Sequence, residues 1–245
     1  MTESTPESAA SFRSDVTVEL VKHTAADSDV LWAARVSTAG EQSLEELQKD
    51  PERSKGLINF LMRDRHGSPF EHNSMTFFVS APIFVFREFM RHRVGWSYNE
   101  ESGRYRELQP VFYVPGQDRK LIQQGRPGKY EFVEGGPEHH RVVDEQMQAA
   151  YTRAYEAYQE MLAAGVAREV ARAVLPVGLF SSMYATCNAR SLMHFLGLRT
   201  QHEQAKVPSF PQREIEMVAE KMEAEWARLM PLTYAAFNAN GRVAP

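Results

Sequence analysis

Between Arg91 and Tyr105 the chain reads RHRVGWSYNEESGRY, which sets Arg91, His92, Arg93 and Arg104 among Glu100, Glu101, Ser97, Ser102, Trp96 and Tyr98. Such a run is poor core material, because burying an unpaired charge costs several kcal/mol. It is therefore either a solvated loop or the lining of a site where an anionic, planar ligand supplies the missing partners. The apolar stretch SMTFFVSAPIFVFREFM leads directly into Arg91, so the charges stand at the exit of a buried element, at the mouth of a binding site. Arginine's planar fork grips a phosphate or a uracil-like imide edge through paired hydrogen bonds. Other arginines are spaced to join it. Arg87 and Arg91 are four apart and share a helix face, with Glu88 and His92 on the adjacent one, and Arg168 and Arg172 repeat that spacing. Asn188 and Arg199 lie about three turns apart along one helical line. Several arginines converging from separate elements suit a nucleotide.

The elements that must position these groups are mixed. Alternating apolar and polar residues predict a strand over 16–22, and the β-branched and aromatic run SMTFFVS predicts another over 74–80. Helices are expected over 27–36, started by an Asp or Ser cap, over 54–65, and from Pro82 to about Val94, where Gly95 stops the last of them. Residues 112–140, rich in glycine, proline and charge, read as an exposed excursion. Thereafter the pattern is helical: 142–164, 167–174 ended by Pro176, 182 to about 200, and 212–230. Strands in the first half and helices in the second define an α+β fold with a small, mostly antiparallel sheet. Residues 1–15 are small and polar without periodicity and are expected to be a disordered tail, leaving 16–245 as a single domain.

Composition narrows the function classes. A chain of 245 residues with 43% hydrophobic content can bury one sizeable core. Its formal net charge of -4 gives no general pull on nucleic acid or an anionic membrane, so neither is an expected partner. There is no apolar run of the roughly 20 residues a membrane span needs, nor a signal-peptide pattern, and a cytoplasmic location is expected. The lone Cys187 excludes an internal disulfide and a thiolate cage and reads as a small packed residue. His66 with His72, and His139 with His140, lack the helical spacing and carboxylate partner of a ligand set, so no metal is expected. Ser102 has no base fixed beside it and reads as a binding serine rather than a nucleophile. Phe77, Phe78, Phe84, Phe86 and Phe89 read as core.

The run RHRVGWSYNEESGRY, preceded by AARVS (33–37) and HGSPFEH (66–72) and followed by REVARAVLP (168–176) and NARSLMHFLGLR (188–199), closely resembles the flavin-dependent thymidylate synthases, the ThyX family. The five blocks occur in the family's order and span most of the chain. The resemblance implies a homotetramer with active sites shared between subunits. It implies conversion of dUMP to dTMP with FAD, 5,10-methylenetetrahydrofolate as carbon donor and NADPH as reductant. Carried over by position, Ser37, His66, Ser68, Arg91, His92, Arg93, Glu100, Asn188, Arg190 and His194 would hold FAD. Glu88, Arg91, Glu101, Ser102, Gly103, Arg104, Arg172 and Arg199 would meet dUMP, with Arg199 as the activating residue. Because the sites are shared, the two sets would come from different chains.

Three positions depart from the family pattern. Eight residues separate Arg93 from Ser102 where seven are usual, with the extra one near Trp96. His202 stands three residues beyond Arg199, where the family often has a histidine four on. Glu88 stands where glutamine is common, and since a carboxylate beside a bound phosphate would repel it, Glu88 is expected to pair with an arginine. The competing reading is a catalytically silent nucleotide- or RNA-binding module. It requires a basic face with stacked aromatics and steep salt dependence, whereas the net charge is negative and the aromatics fall mostly in apolar runs.

Overall fold

Strict alternation of side chains builds the main sheet. In the strand Met75–Pro82, Met75, Phe77 and Val79 point into the core, and in Phe180–Cys187 the residues Met183, Ala185 and Cys187 do the same. The structure is a computed structural model that describes residues 10–40, 50–126 and 129–245. Its strands are β1 (Ser11–Arg13), β2 (Thr17–His23), β3 (Met75–Pro82), β4 (Trp96–Glu100), β5 (Val111–Tyr113), β6 (Ile122–Arg126), β7 (Lys129–Val133) and β8 (Phe180–Cys187). Its helices are α1 (Asp27–Ala39), α2 (Pro51–Arg63), α3 (Ile83–Phe89), α4 (Pro137–Ala163), α5 (Arg168–Ala171), α6 (Ala189–Arg199), α7 (Arg213–Leu229) and α8 (Pro231–Ala239). Two short 3-10 turns, Ser68–Glu71 and Arg172–Val174, complete the set, and the architecture is α+β as the sequence predicts.

The described residues divide into two compact units, one drawn from 10–15, 81–86 and 101–181, the other from 16–80, 87–100 and 182–245. The second unit carries the four-stranded sheet in the order β2-β3-β8-β4, with β2 antiparallel to β3 and β4 antiparallel to β8. The Thr76 and Thr186 hydroxyls meet at 2.9 Å between the two central strands. Its core includes Ile58, Phe77, Phe89, Phe195, Trp226 and Phe237, all fully buried. Asp27 caps the first turn of α8, its carboxylate accepting the Leu232 and Thr233 amide N–H groups at 2.9 Å. In the first unit β1 pairs parallel with β5, β6 and β7 form a hairpin, and the core gathers Leu108, Phe112, Tyr155, Tyr158, Ala171 and Leu179. Phe112 stacks on Tyr151 of α4 with ring centres 5.0 Å apart.

Four expectations change. The helix expected over 182–200 is two elements, strand β8 and then α6. The break falls at Asn188, whose extended backbone and side chain, accepting the Ser191 N–H at 2.9 Å, cap the new helix. The helix expected from Pro82 to Val94 starts at Ile83 and ends at Phe89, so the shared faces inferred for Arg91 and His92 do not form. Its last carbonyls find other donors: the amides of Arg91 and His92 donate to the Glu88 and Phe89 carbonyls, and beyond the helix the Tyr98 hydroxyl donates to the His92 carbonyl at 2.6 Å. The turn then needs Gly95, whose φ is +70° and whose Cβ, if it had one, would sit 2.0 Å from the Ser191 hydroxyl. The excursion over 112–140 holds the β6–β7 hairpin and the start of α4, and α8 has no counterpart in the sequence reading. The expected tail is ordered from Ser11, where β1 gains main-chain partners on β5. The expectation of disorder for 1–9 lies outside the described residues. Among the described residues no helix is long and apolar enough to cross a membrane.

Candidate active site

The C-terminal end of α6 meets the exit of α3 in the second unit. Arg199, the last residue of α6, donates its Nε–H to His92 Nε2 at 3.0 Å and an Nη1–H to Glu88 Oε1. The pairing expected of Glu88 is thus found with Arg199. Accepting a hydrogen bond at Nε2 requires a neutral His92 with its proton on Nδ1. Burial, then the charges of Arg199 and His194, depress its pKa to about 4. The imidazole stands edge-on to Phe195, 4.9 Å between ring centres, and Phe195 stacks on Phe89 at 4.6 Å. Trp96 and Tyr98 flank Phe89 at 5.4 and 5.7 Å, so an aromatic plate fixes the ring that fixes the guanidinium. Ser191 holds the connecting loop against α6 by donating its hydroxyl to the Val94 carbonyl at 3.0 Å.

Two further groups lie in this unit. Arg190 donates to Glu71 Oε1 at 2.5 Å and to the Pro245 carbonyl at 2.6 Å. Nearby, partial burial followed by the charges of Arg190 and Arg65 holds His194 below the ordinary histidine range. On α1 and α2, a cleft of about 440 Å³ is lined by Arg35, Ser37, Thr38, Arg53, Phe60 and His66. His66 stacks on Phe60 with ring centres 5.6 Å apart. Guanidinium groups and hydroxyls beside a flat aromatic pair match the needs of a dinucleotide, which carries a diphosphate and planar rings, so the residues present fit the implied FAD. Ser68 opens the 3-10 turn beyond this cleft, while Arg91, Arg93 and Glu100 are exposed. The side chain of Asn188 is committed to its helix cap.

In the first unit the chain turns at Ser102, whose carbonyl accepts the amides of Tyr105 and Arg106 and whose hydroxyl accepts that of Arg104 at 3.3 Å. Arg104 donates to Glu169 at 2.8 Å, and Arg106 lies 3.7 Å from Glu101. Gly103 is buried against Leu108 and Arg172; a Cβ there would stand 2.8 Å from Leu108 Cδ1 and 3.2 Å from Arg172 Cδ. Glycine lets the Arg172 side chain lie against the Ser102–Arg104 turn.

The structure thus joins Glu88, His92 and Arg199 in one cluster, Ser37 and His66 in a second, Arg190 and His194 in a third, and Ser102, Gly103, Arg104 and Arg172 in a fourth. Sequence reasoning missed Glu71, Tyr98, Phe195, Arg35 and Arg53. Glu71 lies inside the block HGSPFEH, so an acidic residue within a quoted motif was a usable signal. Arg35, Tyr98 and Phe195 also lie inside motif blocks, but their contacts, like those of Arg53, become visible only through packing.

An α+β chain with clustered arginines, a neutral histidine and a cationic cleft has the makings of a flavin- and nucleotide-binding enzyme. The family model described as thymidylate synthase complementing protein matches residues 19–232. A flavin-dependent thymidylate synthase of Streptomyces avermitilis is 87% identical over 235 residues, covering 96% of each chain, and that of Streptomyces coelicolor is 85% identical over 233 residues, covering 95% of each. The chain belongs to the flavin-dependent thymidylate synthase family. A UMP/dUMP methylase, PolB from Streptomyces cacaoi, in its crystal structure bound with 5-Br dUMP, has a similar fold (TM-score 0.90, 57% identity), covering 96% of this chain and all of that one.

Proposed function

We propose that the protein methylates C5 of dUMP to give dTMP, taking the carbon from 5,10-methylenetetrahydrofolate and using FAD that NADPH re-reduces. The observation that carries this reading is Arg199, a partly buried guanidinium held at two nitrogens by His92 and Glu88. Uracil C5 attacks a one-carbon unit only when electron density is pushed onto the ring, with negative charge developing over N3 and the carbonyl oxygens. A fixed cation aimed at that edge stabilises the charge without reorganising, typically by about 10²–10³ in rate. Arg104 and Arg172 would bind the 5′-phosphate, with the Ser102 and Gly103 main chain beside it. Ser37, His66, Ser68, Arg93, Arg190 and His194 would hold the flavin, with Arg91, His92, Glu100 and Asn188 completing the set. When bound, the flavin supplies the hydride that turns the transferred carbon into a methyl group. Each site would draw residues from more than one copy within a cytoplasmic homotetramer, since His92 of the flavin set and Arg199 of the substrate set touch within one chain.

Support comes from the relatives named flavin-dependent thymidylate synthases and from the arginine clusters. The test is dTMP formation from dUMP, methylenetetrahydrofolate and NADPH, with flavin-stripped protein assayed with and without added FAD and with UMP as a parallel substrate. FAD-dependent dTMP is expected. Protein that binds flavin and dUMP but makes no product under any condition would refute the reading in favour of a silent nucleotide-binding module.

A further inference from the structure

We propose that Glu88 is a positioning residue for Arg199, aiming its guanidinium and partly neutralising it until substrate arrives. This inference rests on the reading of Arg199 as the group that polarises the uracil ring. A side chain in direct contact with a bound anion should not itself be anionic, and Glu88 is; its carboxylate is spent instead on Arg199 Nη1. The pair is not a loose surface contact. The side chains are only 18% and 26% exposed, and the two residues come from element ends 111 positions apart in sequence.

The geometry also assigns each edge of the guanidinium. Nε is bound by His92 and one Nη1 hydrogen by Glu88, so among the described residues the Nη2 group carries no hydrogen bond. Hydrogen bonds at two nitrogens, together with the covalent anchor at Cδ, fix the plane of the fork, and the remaining edge is the one presented to a ligand. His92 cannot aim the group alone, because a single hydrogen bond at Nε leaves the fork able to swing about it. The second contact therefore sets direction, while its negative charge offsets part of the attraction Arg199 would exert on an electron-rich ring. These roles separate by substitution. Glutamine keeps an acceptor oxygen near the same place and removes the charge; alanine removes both.

The experiment measures kcat and the dUMP KM of the FAD-loaded wild-type, Glu88→Gln and Glu88→Ala enzymes, with FAD affinity followed by flavin fluorescence. Glu88→Gln should keep kcat within about threefold of wild type and lower the dUMP KM by about two- to fivefold, the range expected for releasing one charge pair. Glu88→Ala should lose tenfold or more in kcat, about 1.4 kcal/mol of barrier, with FAD affinity unchanged. A Glu88→Ala enzyme with wild-type kcat, or a Glu88→Gln enzyme as slow as wild-type-fold Glu88→Ala, overturns the proposal. If Glu88→Ala does not fold, the glutamine variant decides alone, since an unchanged or raised dUMP KM contradicts the neutralising role. A wild-type enzyme that makes no dTMP strikes at the functional reading itself and is read before either variant.

Discussion

Arg199 and Arg104 are each paired with a carboxylate, but the side chains of Arg199 and Glu88 are 18% and 26% exposed, against 51% and 56% for Arg104 and Glu169. The first pair is backed by a neutral imidazole and an aromatic plate; the second stands in water at 2.8 Å. Exposed pairs typically contribute about 0–1 kcal/mol and are screened by salt, so Arg104 is readily handed over to an anionic ligand. A partly buried guanidinium held by two elements acts in a lower dielectric and does not need to be reoriented by the substrate. The contrast fits the two tasks proposed above: loose arginines to capture a phosphate, and one fixed arginine to stabilise charge that develops during the reaction.

Removing the aromatic support should have the largest effect on this difference. Phe89→Ala deletes a fully buried ring that touches Trp96, Tyr98 and Phe195, and large-to-small changes of this kind cost about 3–5 kcal/mol. Chemical denaturation should show that loss, and an unchanged midpoint would mean the plate does not hold the histidine in place.

Acid should act next, and on the same cluster. His92 has a folded-state pKa of about 4, below the usual 6.5. Between those values the unfolded chain binds a proton that the folded chain refuses, so stability contributed by neutral His92 is complete above pH 6.5 and is lost as pH falls toward 4. Melting temperature should decline across that window, with a shallower slope in His92→Gln, whose side-chain oxygen can still accept from Arg199. An equal slope in both proteins would remove His92 as the cause, leaving His194 and other groups.

The smallest change is expected in the exposed pair. Glu169→Gln should shift stability by no more than about 0.5 kcal/mol and leave kcat as it is. It should sharpen the contrast by making the dUMP KM more sensitive to added salt, because the salt that weakens an Arg104–phosphate contact no longer also weakens a competing carboxylate. A stability loss of several kcal/mol would show that this pair is structural after all.

How much of this could be read beforehand depended on whether the signal was local. The residues of the clusters were legible because the motif blocks carry them in order, and the pairing of Glu88 with an arginine followed from the chemistry of a carboxylate near an anion. Which arginine it was could not be read, since residues 88 and 199 become neighbours only in three dimensions. Strand β8 looks helical in the sequence because SSMYATCNARSLMHFL contains no glycine or proline, and a helical period over its second half masks the short alternation of its first. The early end of α3 was hidden for a related reason: Gly95 marks the turn, but the hydroxyl that satisfies the freed His92 carbonyl belongs to Tyr98, on the strand that follows. Tertiary partners decided both boundaries.

The central claim is that Arg199 supplies charge stabilisation to the ring and takes no part in holding the flavin. The most direct measurement is therefore dTMP formation by Arg199→Ala loaded with FAD, with flavin affinity measured on the same preparation. The account predicts unchanged FAD binding and a rate lower by about 10²–10³, the cost of removing one preorganised donor. Wild-type turnover by Arg199→Ala, or loss of flavin in place of loss of rate, would contradict it.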